Sequence, residues 1–157
     1  HGGTINDIAV HGIDLIRHIT GKELVRVVAA RMWNAFAKEA PAFDDCAQFM
    51  LEMSGNTGVL GDVSYAAPAG CGYSLPQYWR FTFWGTKGMM ECAGTSHVIL
   101  LAREGCAEPE RIACTAHEGT YLDDFLSEMR GGMPEMNTRE VIASSRAALT
   151  VQAAARA

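Results

Sequence analysis

The sequence predicts an α+β domain: an open, mainly antiparallel β-sheet of about six or seven strands with helices packed on one face. Three observations carry this. The chain opens on a helical pattern, continues as a run of alternating apolar segments joined by tight turns, and closes on two more helical patterns. Short turns between consecutive strands favour antiparallel hairpins over βαβ crossovers, which need a dozen or more residues.

Residues 4–20 read as the first helix. Thr4 is expected as N-cap with Asp7 three residues on, Ile5, Ile8, Leu15, Ile16 and Ile19 supply the apolar positions, and Gly21 ends it. From Leu24 to about Phe36 the text is β-branched and alternating. DDCAQFMLEM (44–53) and GVLGDVSYAA (58–67) flank a Ser-Gly-Asn-Thr-Gly turn and predict a hairpin. A Pro/Gly-rich loop, PAGCGYSLP, precedes the aromatic strand YWRFTFWG (78–85), and a Gly-Thr-Lys-Gly turn leads into GMMECA (88–93). HVILLAR (97–103) and ERIACT (110–115) complete the strands. Tyr121, Leu122, Phe125, Leu126 and Met129 then form one helical stripe, halted by Gly131-Gly132. Asn137-Thr-Arg-Glu140 caps a last helix through Val141, Ile142, Ala148 and Leu149.

Composition narrows the functional classes. The 157 residues fit one domain and are enough to bury a core without disulfide staples. They are too few for a cofactor domain and a substrate domain together. At 48% hydrophobic and 20% charged, with no long apolar run, the sequence argues against membrane insertion. A net charge of −5 and the lack of any Lys/Arg cluster argue against nucleic acid. The five cysteines (46, 71, 92, 106, 114) are odd in number and irregularly spaced, so reduced, cytoplasmic thiols are expected. With no initiator Met and a His1-Gly2-Gly3 start, the sequence is expected to be a piece of something longer. VVAARMW and YWRFTFW leave few polar residues for an outer sheet face, so self-association is expected to cover it.

The chemistry concentrates in the first helix, GGTINDIAVHGIDLIRHITG. Asp7, His11, Asp14 and His18 follow at intervals of four, three and four, which at roughly 100° per residue places them on one narrow face. A carboxylate at i and an imidazole at i+4 can form a hydrogen bond that fixes the ring's tautomer, as an acid/base group needs. The same pair is also what a capping box or a solvated helix face would contain. No metal is expected: His11 and His18 stand about 10 Å apart along the axis, too far for one ion. GNTGVLG reads GxxGxxG within a predicted hairpin, and no GxxxxGK[ST] occurs, so no cofactor-binding residues are expected in this chain. Cys71 has no adjacent base and is expected to be inert. The Asp/His stripe leaves a metal-dependent hydrolase as a remote alternative.

The opening stretch resembles the GGxxxDxxxHxxDxxxxxxG signature of the C-terminal domain in the Gfo/Idh/MocA (glucose–fructose oxidoreductase / inositol dehydrogenase) family. DDCAQFMLEMSGNTGVLGDVSYA is similar to that family's following hairpin, FTFWGTKGMMEC to its next strand pair, and YLDDFLSEMRGGMPEMNTREVIASSRAALTVQAAAR to its closing helices, in the same order. The resemblance implies a glyceraldehyde-3-phosphate dehydrogenase-like C-terminal domain, with residues 1–157 as one substrate-binding and dimerising unit. It implies an intact enzyme that uses NAD or NADP on a sugar, polyol or related alcohol. The cofactor would be bound by an N-terminal Rossmann domain absent from this sequence. The family's catalytic lysine, which sits there before a proline, has no match, because Lys22, Lys38 and Lys87 are each followed by another residue. Carried over, His11 is the acid/base histidine, Asp7 its acidic neighbour, Tyr73 a substrate-side residue, and Asp14 structural. The isolated chain is then expected to be inactive. A stand-alone oligomerising or binding module without dehydrogenase activity is the alternative.

Overall fold

The protein is described from a computed structural model, in which residues 3–68, 70 and 78–157 are described. A π-helical turn, Ile5–Ala9, leads into α1 (Val10–Thr20), followed by β1 (Leu24–Trp33), β2 (Cys46–Met53), β3 (Thr57–Ser64), β4 (Arg80–Gly85), β5 (Gly88–Ala93), β6 (Val98–Arg103), β7 (Glu110–Ala113), α2 (Tyr121–Met129) and α3 (Thr138–Ala155). The α+β class and the antiparallel strands agree with the sequence reading. The strands form two ladders rather than one continuous sheet, β1-β2-β3 and β4-β5-β6-β7. The described residues that follow β3 include Pro68 and Gly70, both poor ladder residues. The chain divides into two units accordingly: His1–Ala66 with Gly119–Ala157, and Ala67–Glu118.

In the first unit β2 is the central strand, and its alternation decides the packing. Ala47, Phe49, Leu51 and Met53 point inward and are buried, whereas Gln48 and Met50 point outward and are exposed. The inward set joins Ile5, Ala9 and Ile13 from the first helical segment and Ala147, Ala148 and Val151 from α3 in one core. Burying side chains such as Ile5, Ile13 and Leu51 contributes roughly 1.5–3 kcal/mol each. Phe49 pairs with Gly61 across the β2–β3 ladder, and a Cβ at Gly61 would lie 2.1 Å from the ring, so only glycine leaves room for it.

Strand β1 departs from simple alternation. Its inward residues are Leu24, Val27, Ala30 and Met32, because register shifts between Leu24 and Arg26 and between Val27 and Ala29 insert Val25 and Val28 as extra residues. The outer face of this sheet then reads in rows. Arg26 lies opposite Glu52 and binds it at 2.6 Å, Ala29 aligns with Met50 and Leu60, and Arg31 aligns with Gln48 and Asp62. Leu60 is 80% exposed in the middle row.

In the second unit, Phe81 pairs with Cys92 and Phe83 with Met90, and Ile99 with Ile112, on one face of the four-stranded ladder. Tyr78 and Trp79, expected as the first residues of this strand, instead precede it, Trp79 with a φ of 51°. The last helix starts where its cap predicts, with the Asn137 side chain accepting from the Glu140 N–H, and α2 starts at a capping pair not singled out from sequence, the Asp123 carboxylate accepting from the Thr120 N–H and hydroxyl. The α2 stripe differs in its burial. Periodicity marks it as core-facing, yet Tyr121, Leu122, Phe125 and Met129 are all exposed.

Candidate active site

The opening helix ends as its sequence demands. Gly21 takes the left-handed conformation and its N–H bonds the Arg17 carbonyl at 2.8 Å. Its beginning is different from the capping box expected of Thr4 and Asp7. Thr4 is itself helical and fully buried, and its hydroxyl donates to the Asp44 carbonyl. Its burial among apolar neighbours and the wider π turn favour this distant acceptor over the local one. Asp7 is thereby released from a capping role. Its exposed carboxylate accepts a hydrogen bond from the Tyr65 hydroxyl at the end of β3. His11, one turn further on, is exposed.

The two lower members of the stripe differ: Asp14 is half-buried and His18 is exposed. Asp14 accepts from the hydroxyl of buried Ser144 on α3, and His18 lies 3.5 Å from the Glu135 carboxylate. Between them stands Arg17, on the same side as buried Ile13 one turn earlier, and itself 5% exposed. Its guanidinium forks onto Glu23 through Nε at 3.0 Å and Nη2 at 2.7 Å. It also reaches the Glu140 carboxylate at 3.1 Å, the Glu140 carbonyl at 3.2 Å and the Ser144 hydroxyl at 2.6 Å. The hydrogen bonds and charge of Arg17 hold the Glu23 carboxyl below the usual range, and those of Glu23 hold the Arg17 guanidinium above its own. The clamp ties α1 to α3.

The wall beside Asp7 is built by the loop between β1 and β2. Asp45, 1% exposed, accepts from the N–H groups of Ala35, Phe36 and Ala37 at 2.6–2.8 Å. Burial pushes its carboxyl up, but these three amides outweigh that and bring it down to about 2. The Asn34 amide donates to the carbonyls of Ala37, Ala40 and Phe43. Phe43 meets the Tyr65 ring edge-on at 5.1 Å, and the Tyr65 N–H bonds the Asp45 carbonyl at 2.9 Å.

The site that emerges is an exposed Asp7–His11 surface, with Tyr65 against Asp7 and a hydrogen-bonded loop behind Tyr65. Tyr73 lies outside the described residues, as does Cys71. Tyr65, Asn34, Asp45 and Arg17 were not singled out from sequence. Arg17 had a signal: a lone cation at a core-facing helical position needs buried partners. Tyr65 had none, since its contact spans 58 positions. No group of three or more candidate metal ligands occurs among the described residues.

The match to known proteins settles the lineage. Residues 1–91 match the family model of the GFO/IDH/MocA C-terminal domain. The chain belongs to the GFO/IDH/MocA family. No curated protein sequence matches. Among solved structures, a Thermotoga maritima protein assigned as an oxidoreductase superposes with a TM-score of 0.82 at 24% identity, over 98% of this chain and 45% of that one. UDP-N-acetylglucosamine 3-dehydrogenase from Acidithiobacillus ferrooxidans gives 0.77 at 18% identity, over 96% of this chain and 46% of that one. Aldose-aldose oxidoreductase from Caulobacter crescentus, complexed with glycerol, gives 0.72 at 20%, over 96% of this chain and 44% of that one. These likenesses show the fold. The GFO/IDH/MocA chain spans less than half the length of the structures it matches.

A nicotinamide dinucleotide finds no cradle in the glycines of GNTGVLG. Gly55 turns the β2–β3 hairpin, while Gly58 and Gly61 lie within β3, so none stands at a strand-to-helix junction. No helix among the described residues is long and apolar enough to cross a membrane.

Proposed function

We propose that this chain is the substrate-side, dimerising domain of an NAD(P)-dependent oxidoreductase acting on a sugar, polyol or related alcohol, and that His11 handles the hydroxyl proton. The observation that carries this is the exposed Asp7 carboxylate one helical turn before the exposed His11 ring, with the Tyr65 hydroxyl on Asp7 and the hydrogen-bonded β1–β2 loop behind it. A nicotinamide ring held by another domain supplies the hydride acceptor. Within this chain His11 accepts the proton from the substrate hydroxyl as the alcohol is oxidised, or returns it on reduction, and Asp7 orients the imidazole. The cofactor, the lysine that shares proton transfer and half of the site belong to the rest of the enzyme, so the chain alone is inactive. The sugar class is supported by the dehydrogenase of a UDP-sugar and the aldose oxidoreductase among the structural relatives. Reduced thiols and the acidic net charge suit a cytoplasmic enzyme without nucleic-acid partners.

The outer row Ala29–Met50–Leu60 is the face we assign to a second copy of the chain. Exposed Met50 and Leu60 sit between charged and polar rows that supply a rim, in the pattern of an apolar centre with a polar border.

The test is His11→Ala in the intact enzyme, following NAD+ and NADP+ reduction with UDP-N-acetylglucosamine and with aldoses. Turnover should fall about 10²- to 10⁴-fold, the range of a lost acid/base group, with the cofactor KM within about twofold of wild type. Undiminished turnover would remove His11 from the chemistry.

A further inference from the structure

We propose that a second copy packs on the outer sheet face about a two-fold axis running along β2, so that Arg31 of each copy meets Asp62 of the other and Leu60 of each seats on Ala29 of the other. The inference rests on the reading that this face receives a second copy, and it adds how the two fit. Three rows cross β1, β2 and β3 on this face: Arg31–Gln48–Asp62, Ala29–Met50–Leu60 and Arg26–Glu52–Gly58. In the last row Arg26 and Glu52 neutralise each other at 2.6 Å. In the first row the two charges stand two strands apart, roughly 10 Å. Asp62 accepts from the neutral Gln48 amide at 3.2 Å, and the Arg31 guanidinium lies 3.9 Å from the centre of the Trp33 ring. Both are exposed, and neither is in an ion pair among the described residues. The face therefore has a positive edge on β1 and a negative edge on β3. Between them lies an open groove of about 460 Å³, whose lining includes Ala29, Met50 and Leu60.

Two identical sheets packed face to face are related by a two-fold axis lying between them, and its direction decides which residues meet. An axis along β2 keeps every row level with itself and exchanges the edge strands, setting β1 over the partner's β3. Each unpaired charge then finds its opposite, because Arg31 faces the partner's Asp62. Leu60, 80% exposed, faces the partner's Ala29, the smallest side chain of its row. Arg26, with Glu52 beside it, faces the partner's Gly58. A Cβ at Gly58 would meet no described atom within 4 Å, so the fold of the chain does not call for glycine there. A glycine inside a strand often marks the close approach of another group, and the partner's Arg26 is that group here. The other axes fail on charge. One across the strands sets β1 over β1, which brings Arg31 over the partner's Arg26 and Leu60 onto the partner's Leu60 and leaves Asp62 against glycine. A diagonal axis sets either Arg31 or Asp62 against its own copy. Tilting the favoured axis about 15° from β2 gives the crossing of about 30° at which aligned sheets pack.

The experiment exchanges the two charges in this chain. Sedimentation velocity over a concentration series gives the dimer Kd, with far-UV circular dichroism as the check on fold. Arg31→Asp sets two carboxylates against each other at both symmetry-related contacts, and Asp62→Arg sets two guanidiniums. Each variant alone should therefore raise the Kd about 100-fold or more. An equimolar mixture of the two should dimerise to within about tenfold of wild type, because both contacts of the mixed dimer join opposite charges. Mixing cannot rescue a misfolded chain, so this recovery separates lost pairing from lost structure. The doubly substituted chain, Arg31→Asp with Asp62→Arg, should dimerise by itself. An unchanged Kd in the single variants, or a mixture that stays monomeric, would overturn the axis. Leu60→Glu tests the face separately. Loss of the dimer in Leu60→Glu, with the charge variants still dimeric, keeps the face and removes the axis, whereas a dimer that survives Leu60→Glu removes both.

Discussion

Replacing Arg17 by alanine should be the most damaging single change among the polar residues of the α1–α3 contact. The guanidinium makes five hydrogen bonds from a side chain that is 4% exposed. Removing one member of a fully buried ion pair costs about 3–5 kcal/mol, because the remaining charge is stranded. Here the stranded groups are less trapped: the Glu23 and Glu140 side chains are 64% and 42% exposed and can rehydrate. Buried Ser144 and the Asp14 carboxylate it serves cannot relax as easily. Arg17→Ala should therefore cost about 2–3 kcal/mol, partly through the lost packing of the aliphatic stem. Arg17→Lys keeps the charge but cannot fork onto Glu23 while reaching Glu140 and Ser144, and should cost about 1–2 kcal/mol. Urea unfolding of the chain at neutral pH, followed by far-UV circular dichroism, measures both. For a protein of this size the alanine variant should melt roughly 5–10 °C lower. An Arg17→Ala midpoint within about 0.5 kcal/mol of wild type, or a lysine variant equal to wild type, would refute the clamp.

Two further outcomes follow from the loop and the outer sheet face. Because the folded Asp45 carboxyl sits at about 2, below its usual unfolded value, its contribution is complete above about pH 4 and is lost as pH falls toward 2. Urea midpoints measured through that window should drop in wild type and flatten in Asp45→Asn. Leu60→Glu places a charge in the middle of the apolar row, so light scattering should show a dimer for wild type and a monomer for the variant, with unchanged circular dichroism.

What could be read from the sequence was what is local. Gly21 and Asn137 act on residues within four positions, and their helix ends fall where expected. The β2–β3 hairpin was equally legible, because alternation and turn lie side by side. Strand β1 was less so: two bulges turn its inward spacing from two residues to three, which no alternation pattern describes. The Thr4–Asp7 capping box matched in sequence and failed in space, because a buried hydroxyl found a carbonyl 40 residues away. Tyr65 and the partners of Arg17 are contacts of the same kind. The exposed α2 stripe marks the converse case, in which periodicity reports an apolar face but not what covers it.

The π-helical turn at Ile5–Ala9 has a consequence for how this segment can vary. Thr4 is fastened to Asp44 at one end, and Arg17 to Glu140 and Ser144 at the other. A π turn accommodates one residue more than an α turn, so the distance and the rotation between these fastenings both depend on it. Losing one residue within the turn would restore regular winding and leave the two fastenings nearly in register, whereas losing one from the α-helical part between Val10 and Arg17 would swing one by about 100° against the other. The π turn is thus the one place between Thr4 and Arg17 where the residue count can shrink. In this stretch the constraint is on counting as much as on chemistry, and the turn marks where it is relaxed.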